Sequence, residues 1–111
     1  MSECIFCKIG QKKATAEIIF EDEDCLAFKD ANPQAPVHFL VIPKKHIDTI
    51  VNADQETLGK LTMVAARLAE EQGIADDGFR TVINCNRYGG QTVYHLHVHV
   101  VGGRWFTWPP G

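Results

Sequence analysis

A chain of 111 residues has room for one domain, residues 1–111, and for no second core. Its 45% hydrophobic and 23% charged residues exclude a disordered or fibrous chain, and a net charge of −3 argues against bulk nucleic-acid binding, which needs many Lys and Arg to neutralise phosphate. No apolar stretch approaches the roughly 20 residues that cross a bilayer, and the N-terminal Met-Ser-Glu-Cys lacks the pattern of a secretory signal.

The expectation is a cytoplasmic protein with neither nucleic acid nor membrane as partner. Its four cysteines (Cys4, Cys7, Cys25, Cys85) should then be reduced thiols or metal ligands.

In chain order, residues 4–10 (CIFCKIG) read as one or two helical turns ending at Gly10. Glu17–Glu21 and Cys25–Lys29 are short β-like runs, and the acidic Asp22-Glu23-Asp24 between them reads as a hairpin turn. The two prolines of residues 31–36 mark a loop. His38–Ile42 is a strand stopped by Pro43. Asp54–Gly73 is the one long helix: Leu58, Leu61, Ala65 and Leu68 recur at steps of three and four, Asp54 is placed to cap its start and Gly73 to stop it. Arg80–Cys85 and Thr92–Val101 are the last two strands, joined by residues 86–90. Five strands interrupted by one long helix predict an α+β fold, an antiparallel sheet with helices packed on it. The tail, with Trp105 and Trp108 beside Pro109 and Pro110, predicts an extended arm that packs onto something, such as a second subunit.

The chemistry concentrates in His95-Leu96-His97-Val98-His99-Val100-Val101. On a strand, alternate residues share a face, so three imidazoles line one side and Leu96, Val98 and Val100 the other. The apolar row can pack on the helix, which turns the histidine row to a cleft or to water. One histidine there is an ordinary surface or core residue; three in register carry a function. Neutral imidazole is a nucleophile at phosphorus, and protonated imidazole donates to phosphoryl oxygens. Three histidines on one face also suit a zinc ion, and spacing alone leaves both readings open. The preceding Gly89-Gly90-Gln91-Thr92 favours phosphate: glycines let backbone N–H groups approach an anion, Thr92 offers a hydroxyl and Gln91 an amide.

These residues closely resemble the histidine triad (HIT) superfamily, whose signature of three histidines alternating with apolar residues is matched at every position of 95–101. The likeness covers nearly the whole chain. Residues 19–22, 25–28, 33–36 and 38–47, Gly89-Gly90-Gln91 and the terminal Trp108-Pro109-Pro110-Gly111 resemble the Hint branch, the purine nucleoside phosphoramidases. The resemblance implies a HIT-like five-stranded sheet with one long and one short helix, extended across a homodimer. It implies His97 as the nucleophile forming a nucleotidyl-histidine intermediate, His99 as a donor to the phosphate, and His38 as the group that orients His97. Asn84 and the backbone of Gly90, Gln91 and Thr92 would contact phosphate or leaving group. Asp30 would hold the ribose, with Phe28, Ile5, Phe6 and Ile9 around the base, and Trp108 would approach the partner's site. The branch usually has Ser where this chain has Thr92; the hydroxyl is kept, but the added methyl stiffens χ1 and alters proton delivery to the leaving group.

Cys4-Ile5-Phe6-Cys7 is a C-x-x-C, which serves redox chemistry or half a zinc site. Some HIT relatives complete such a pair with a histidine after Pro-Lys and with the first triad histidine. The resemblance therefore implies a structural zinc on Cys4, Cys7, His46 and His95, a normal Cys₂His₂ set. Cys25 and Cys85 read as strand residues of the core. The implied reaction is hydrolysis of a purine nucleoside 5′-phosphoramidate (an AMP or GMP derivative) to the monophosphate, with no catalytic metal. The alternatives are a dinucleoside polyphosphate hydrolase, a nucleotide-binding regulatory module, and a zinc hydrolase using all three triad histidines.

Overall fold

The computed structural model describes residues 3–111; Met1 and Ser2, part of the N-terminal reading above, lie outside them. Eight elements follow in order: helix α1 (Ile5–Gly10), strands β1 (Ile18–Glu21), β2 (Cys25–Lys29) and β3 (Val37–Pro43), a 3₁₀ turn (Ile50–Asn52), helix α2 (Gln55–Glu71), and strands β4 (Phe79–Val82) and β5 (Val98–Gly102). The strands form one antiparallel sheet in the order β1-β2-β3-β5-β4. This is the expected α+β architecture with one long and one short helix. Among the described residues no helix is long and apolar enough to cross a membrane.

The β1–β2 hairpin turns where the acidic run predicts. Asp22 Oδ1 accepts the N–H groups of Asp24 and Cys25, both at 2.9 Å, so the carboxylate builds the turn. Its other oxygen takes Lys60 of α2 at 2.8 Å, which ties the turn to the long helix.

Period-two alternation divides the sheet into two faces. On one, Ala27, Phe39, Val41, Val98 and Val100 pack against Leu61, Val64, Ala65 and Leu68 of α2. On the other, Leu26, Phe28, Leu40 and Ile42 pack against Phe6 and Ile9, the inward residues of α1. Each large aliphatic or aromatic side chain so buried contributes about 1.5–3 kcal/mol. Because both faces of β2 are covered, four consecutive residues from Cys25 are buried and its apolar run is continuous rather than alternating. Burial pushes the Cys25 thiol up to about 11, as befits a core cysteine.

α2 ends as the sequence predicts. Gly73 takes φ +79°, the N–H of Gly73 donates to Glu70 O and that of Ile74 to Ala69 O, a Schellman closure that delivers buried Ile74 to the core. Asp54 sits at the N-cap position with extended backbone but makes no side-chain capping bond.

Three expectations need correction. The last strand starts at Val98, not Thr92: residues 91–97 run beside Ile47 and Pro43 in irregular backbone, braced by side chains and by the Leu96 N–H bond to Ile47 O. β4 stops at Val82, so Asn84 and Cys85 lie in the loop that follows. Cys85 is accordingly half-buried, outside the core, with Gly89 folded back over its backbone.

Candidate active site and metal cluster

The α1 face of the sheet carries a cavity of about 640 Å³. Its lining includes Ile5, Phe6, Ile9, Phe28, Asp30, Asn84, Gly90, Thr92, His97 and His99, ten of the positions singled out from the sequence. Leu40, Val93, Lys29, Ala31 and the segment Thr15–Glu17 complete it. Leu40 shares the His38 face of β3 by simple alternation and was open to prediction; Thr15–Glu17 has no chemical signal and enters only because the chain passes from α1 to β1 there.

His97 is buried at the base of the cavity. Its Nδ1 lies 2.8 Å from the carbonyl oxygen of His95, an oxygen that only accepts, so the ring N–H sits on Nδ1. Nε2 is then left with its lone pair. His38 and His99 form a second, linked pair. Gln34 N–H donates to His38 Nδ1 at 3.0 Å, which places the remaining His38 proton on Nε2. That N–H reaches His99 Nδ1 at 3.0 Å and has Asp30 Oδ2 at 3.3 Å. His99 thus accepts on Nδ1 and offers Nε2–H outward. Burial lowers the affinity of both rings for a second proton, and for His99 the neighbouring His97 and His38 add to it, bringing its pKa to about 4. One line of hydrogen bonds therefore fixes His99 as a donor beside the unprotonated Nε2 of His97, with the two ring centroids 4.9 Å apart.

Asp30 follows β2 and accepts the Asn32 N–H on Oδ1 at 2.8 Å, while Oδ2 faces His38. Phe28, two residues earlier, meets Phe6 edge-on at 5.4 Å between centroids, and the pair forms an aromatic wall. Gly90 takes φ +76° beside the Asn84 amide, which itself donates to Gly89 O at 2.7 Å. Thr92 is exposed on the cavity rim.

Two expected site residues stand elsewhere. The amide of Gln91 does not face the cavity: it is buried, accepts the Asn86 N–H on Oε1, and donates to the carbonyls of Asp48 and Val93. Its hydrogen-bonding capacity is spent bracing the loop, so only its backbone is available to a ligand. Trp108 is 82% exposed and forms no part of this cavity. The tail bearing it is held by Arg80, which donates to Thr107 O at 2.9 Å, and by Arg104, whose guanidinium lies over Phe106.

His95 does not join the other two triad histidines. It is fully buried against Phe6, among Cys4, Cys7 and His46, and does not line the cavity. His95 Nε2–H donates to Pro43 O at 2.8 Å, leaving Nδ1 free at 3.3 Å from Cys4 Sγ and 3.5 Å from Cys7 Sγ. His46 Nδ1 lies 3.3 Å from Cys7 Sγ. Four donor atoms, two sulfur and two nitrogen, thus converge within 4.8 Å. Tetrahedral zinc with its usual bond lengths sets S···N edges of roughly 3.5 Å, so the donor set and spacing fit. The carbonyl behind His95 is the partner that orients a metal-binding imidazole. The same geometry removes the reading in which all three triad histidines hold one catalytic metal, since His95 and His97 turn their free nitrogens to different places.

Known proteins agree with this architecture. The HIT domain family model matches residues 11–105. An uncharacterised HIT-like protein of Synechococcus elongatus is 50% identical over the full length of both chains. Among solved structures, a HIT family hydrolase from Legionella pneumophila Philadelphia 1 is 49% identical and superimposes with a TM-score of 0.96, covering 98% of this chain and 100% of that one. A zinc-bound histidine triad family protein from Mycobacterium smegmatis is 37% identical at a TM-score of 0.84, covering 93% and 76%. The sequence match, the sheet order and the histidine arrangement lead to one conclusion: the chain belongs to the histidine triad family.

Proposed function

We propose that this chain is a hydrolase of the Hint-like branch that cleaves the P–N bond of purine nucleoside 5′-phosphoramidates through a nucleotidyl-His97 intermediate. The observation that carries the reading is the His97 ring. Its Nδ1–H is committed to the His95 carbonyl, and the ring lines a cavity also walled by aromatic side chains, a carboxylate and a glycine-rich loop. The hydrolase named among the similar structures supports the reaction class.

In the proposed reaction the base enters between Phe28, Phe6 and Ile9, with the ribose hydroxyls toward Asp30. His97 Nε2 attacks phosphorus, the new N–P bond forms as the P–N bond to the leaving group breaks, and the departing amine takes the proton of the Thr92 hydroxyl, which the hydrolytic water returns in the second step. The Nδ1–H···O bond to His95 stabilises the positive charge that develops on the ring. His99 Nε2–H and the Gly90–Thr92 backbone hold the phosphoryl oxygens. Water then cleaves the N–P bond, releasing the nucleoside monophosphate and restoring the ring. Holding phosphate and nucleophile in line supplies most of the acceleration.

Cys4, Cys7, His46 and His95 would hold a structural zinc, which pins α1 to the sheet. We also propose a homodimer, with Trp108 meeting the partner's site; the exposure of Trp105 and Trp108 on a tail that is itself anchored supports it.

Mass spectrometry of a quenched turnover tests the mechanism. A nucleotidyl adduct should appear on the peptide bearing His97, and His97→Ala should lose turnover by about a thousandfold or more while still binding nucleotide. An adduct on another residue, or turnover surviving in the variant, rejects it.

A further inference from the structure

The metal cluster and the nucleophile are adjacent, and two connections join them. The first is backbone: His95 offers Nδ1 to the cluster and its carbonyl to His97 Nδ1–H at 2.8 Å, so the residue that belongs to the cluster also sets the ring of the nucleophile. The second is a side chain. Phe6 lies in α1 between the two cysteines and is 8% exposed. Its ring meets three others edge-on, with centroids at 5.9 Å from His95, 5.2 Å from His97 and 5.4 Å from Phe28. It therefore touches the cluster, the nucleophile and the aromatic wall of the cavity at once.

α1 has few other restraints. It is six residues long, well short of the length at which an isolated helix holds itself together in water. Cys4 caps it by accepting the Cys7 N–H at 3.3 Å, a weak bond to sulfur. Among the described residues, its attachment to the sheet beyond the cluster is the packing of Phe6 and Ile9 on Leu26, Phe28, Leu40 and Ile42, with one exposed ion pair just past its end, Lys12 to Glu21 of β1 at 2.7 Å. Yet Ile5, Phe6 and Ile9 form one wall of the cavity.

From this juxtaposition we propose that the Cys4–Cys7–His46–His95 cluster is a positioning device for the reaction. Metal capture holds α1 on the sheet, and Phe6, a positioning residue rather than a catalytic one, transmits that hold to His97 and to the nucleotide wall. Loss of the metal then loosens substrate binding and the set of the His97 ring together, beyond any effect on stability.

Two readouts separate this from a purely structural metal. The first uses no nucleotide: the hydrogen-bonded Nδ1–H of His97, followed by NMR of histidine-labelled protein and assigned by its absence in His97→Gln. The second is the affinity for adenosine 5′-monophosphate by calorimetry, which rests on the nucleotide reading of the cavity. Stripping zinc with a chelator, or replacing both Cys4 and Cys7 by Ser, should broaden or abolish the His97 N–H signal. It should also weaken nucleotide binding by about tenfold, as the competent position of α1 becomes a minority state. Phe6→Leu with zinc supplied should keep the metal, keep cooperative unfolding and still weaken binding. Should the stripped protein unfold altogether, this zinc-loaded variant decides. The proposal is overturned if the zinc-supplied protein binds no metal, if stripping leaves the N–H signal and affinity unchanged, or if Phe6→Leu matches the parent. If the parent binds no nucleotide, the proposed function falls while the N–H signal still decides the coupling.

Discussion

The two histidines that face the cavity owe their roles to which nitrogen carries the proton, and that is set by carbonyls and N–H groups of the backbone. The alternation of 95–99 announced a row of imidazoles; it held no information on the carbonyl behind His97 or the Gln34 N–H behind His38, so tautomers became legible only in three dimensions. Gln91 is the clearest miss, because an amide in a glycine-rich loop invites a ligand role, whereas three hydrogen bonds turn it inward. Gln91→Ala should leave buried partners unpaired and cost about 2–4 kcal/mol in urea unfolding. A cost near zero would mean the amide is not the brace described. His99 gives a pH prediction. Its folded pKa of about 4 lies below the roughly 6.5 of an unfolded histidine, so between these values the unfolded chain binds more protons. Stability is thus fully present above the unfolded value and lost as pH falls toward the folded one, by an amount of the order of 2–3 kcal/mol. Burial lowers His38 in the same direction. Urea midpoints measured at intervals from neutral pH to below pH 5 should fall for the parent and fall less for His99→Gln; parallel curves for the two proteins would refute this assignment.

At the scale of elements, the sequence was most legible where local chemistry decides. The Asp22 turn and the close of α2 at Gly73 follow from residues that make the required bonds themselves, whereas α1 ends at Gly10 through a closure made by Lys12, which takes φ +64° and donates its N–H to Ile9 O. It was least legible where long-range contacts replace a ladder. Residues 91–97 look like a strand by composition, yet Gln91, His95 and Leu96 take their partners from the segment 43–48, which no local pattern announces. One contact between elements carries a test. At Gly102, the last residue of β5, Ile74, delivered by the closure of α2, fills the space a side chain would need: a Cβ there would come within 2.6 Å of Ile74 Cδ1 and 3.0 Å of its Cβ. Gly102→Ala should cost about 1–3 kcal/mol through overpacking. Combined with Ile74→Val it should cost less than the sum of the two changes, a coupling that a double-mutant cycle in denaturant reads directly. Strict additivity would show that the two residues do not press on each other.

For the whole molecule, five antiparallel strands were readable from the strand runs and turns, but their order was not. β5 enters between β3 and β4, which makes β4 one edge of the sheet and leaves β1 the other, and nothing local in Val98–Gly102 marks it for the inside of the sheet. That placement bears on assembly. The β4 edge carries Arg80, which anchors the tail through Thr107, and Arg104 clasps Phe106 on the same segment, so Trp105 and Trp108 are displayed on a braced arm at 94% and 82% exposure. Side chains of this kind bury about 150–250 Å² each when they find a partner, and ordering them in advance lowers the entropic cost of association. The expected outcome is a dimer of two 12.4-kDa chains in sedimentation at micromolar concentration. Replacing both tryptophans by Ala should shift it to monomer, and Arg80→Ala, which frees the arm while keeping its tryptophans, should weaken association by a smaller factor. If the parent sediments as a monomer at those concentrations, the arm serves some purpose other than pairing two copies of this chain.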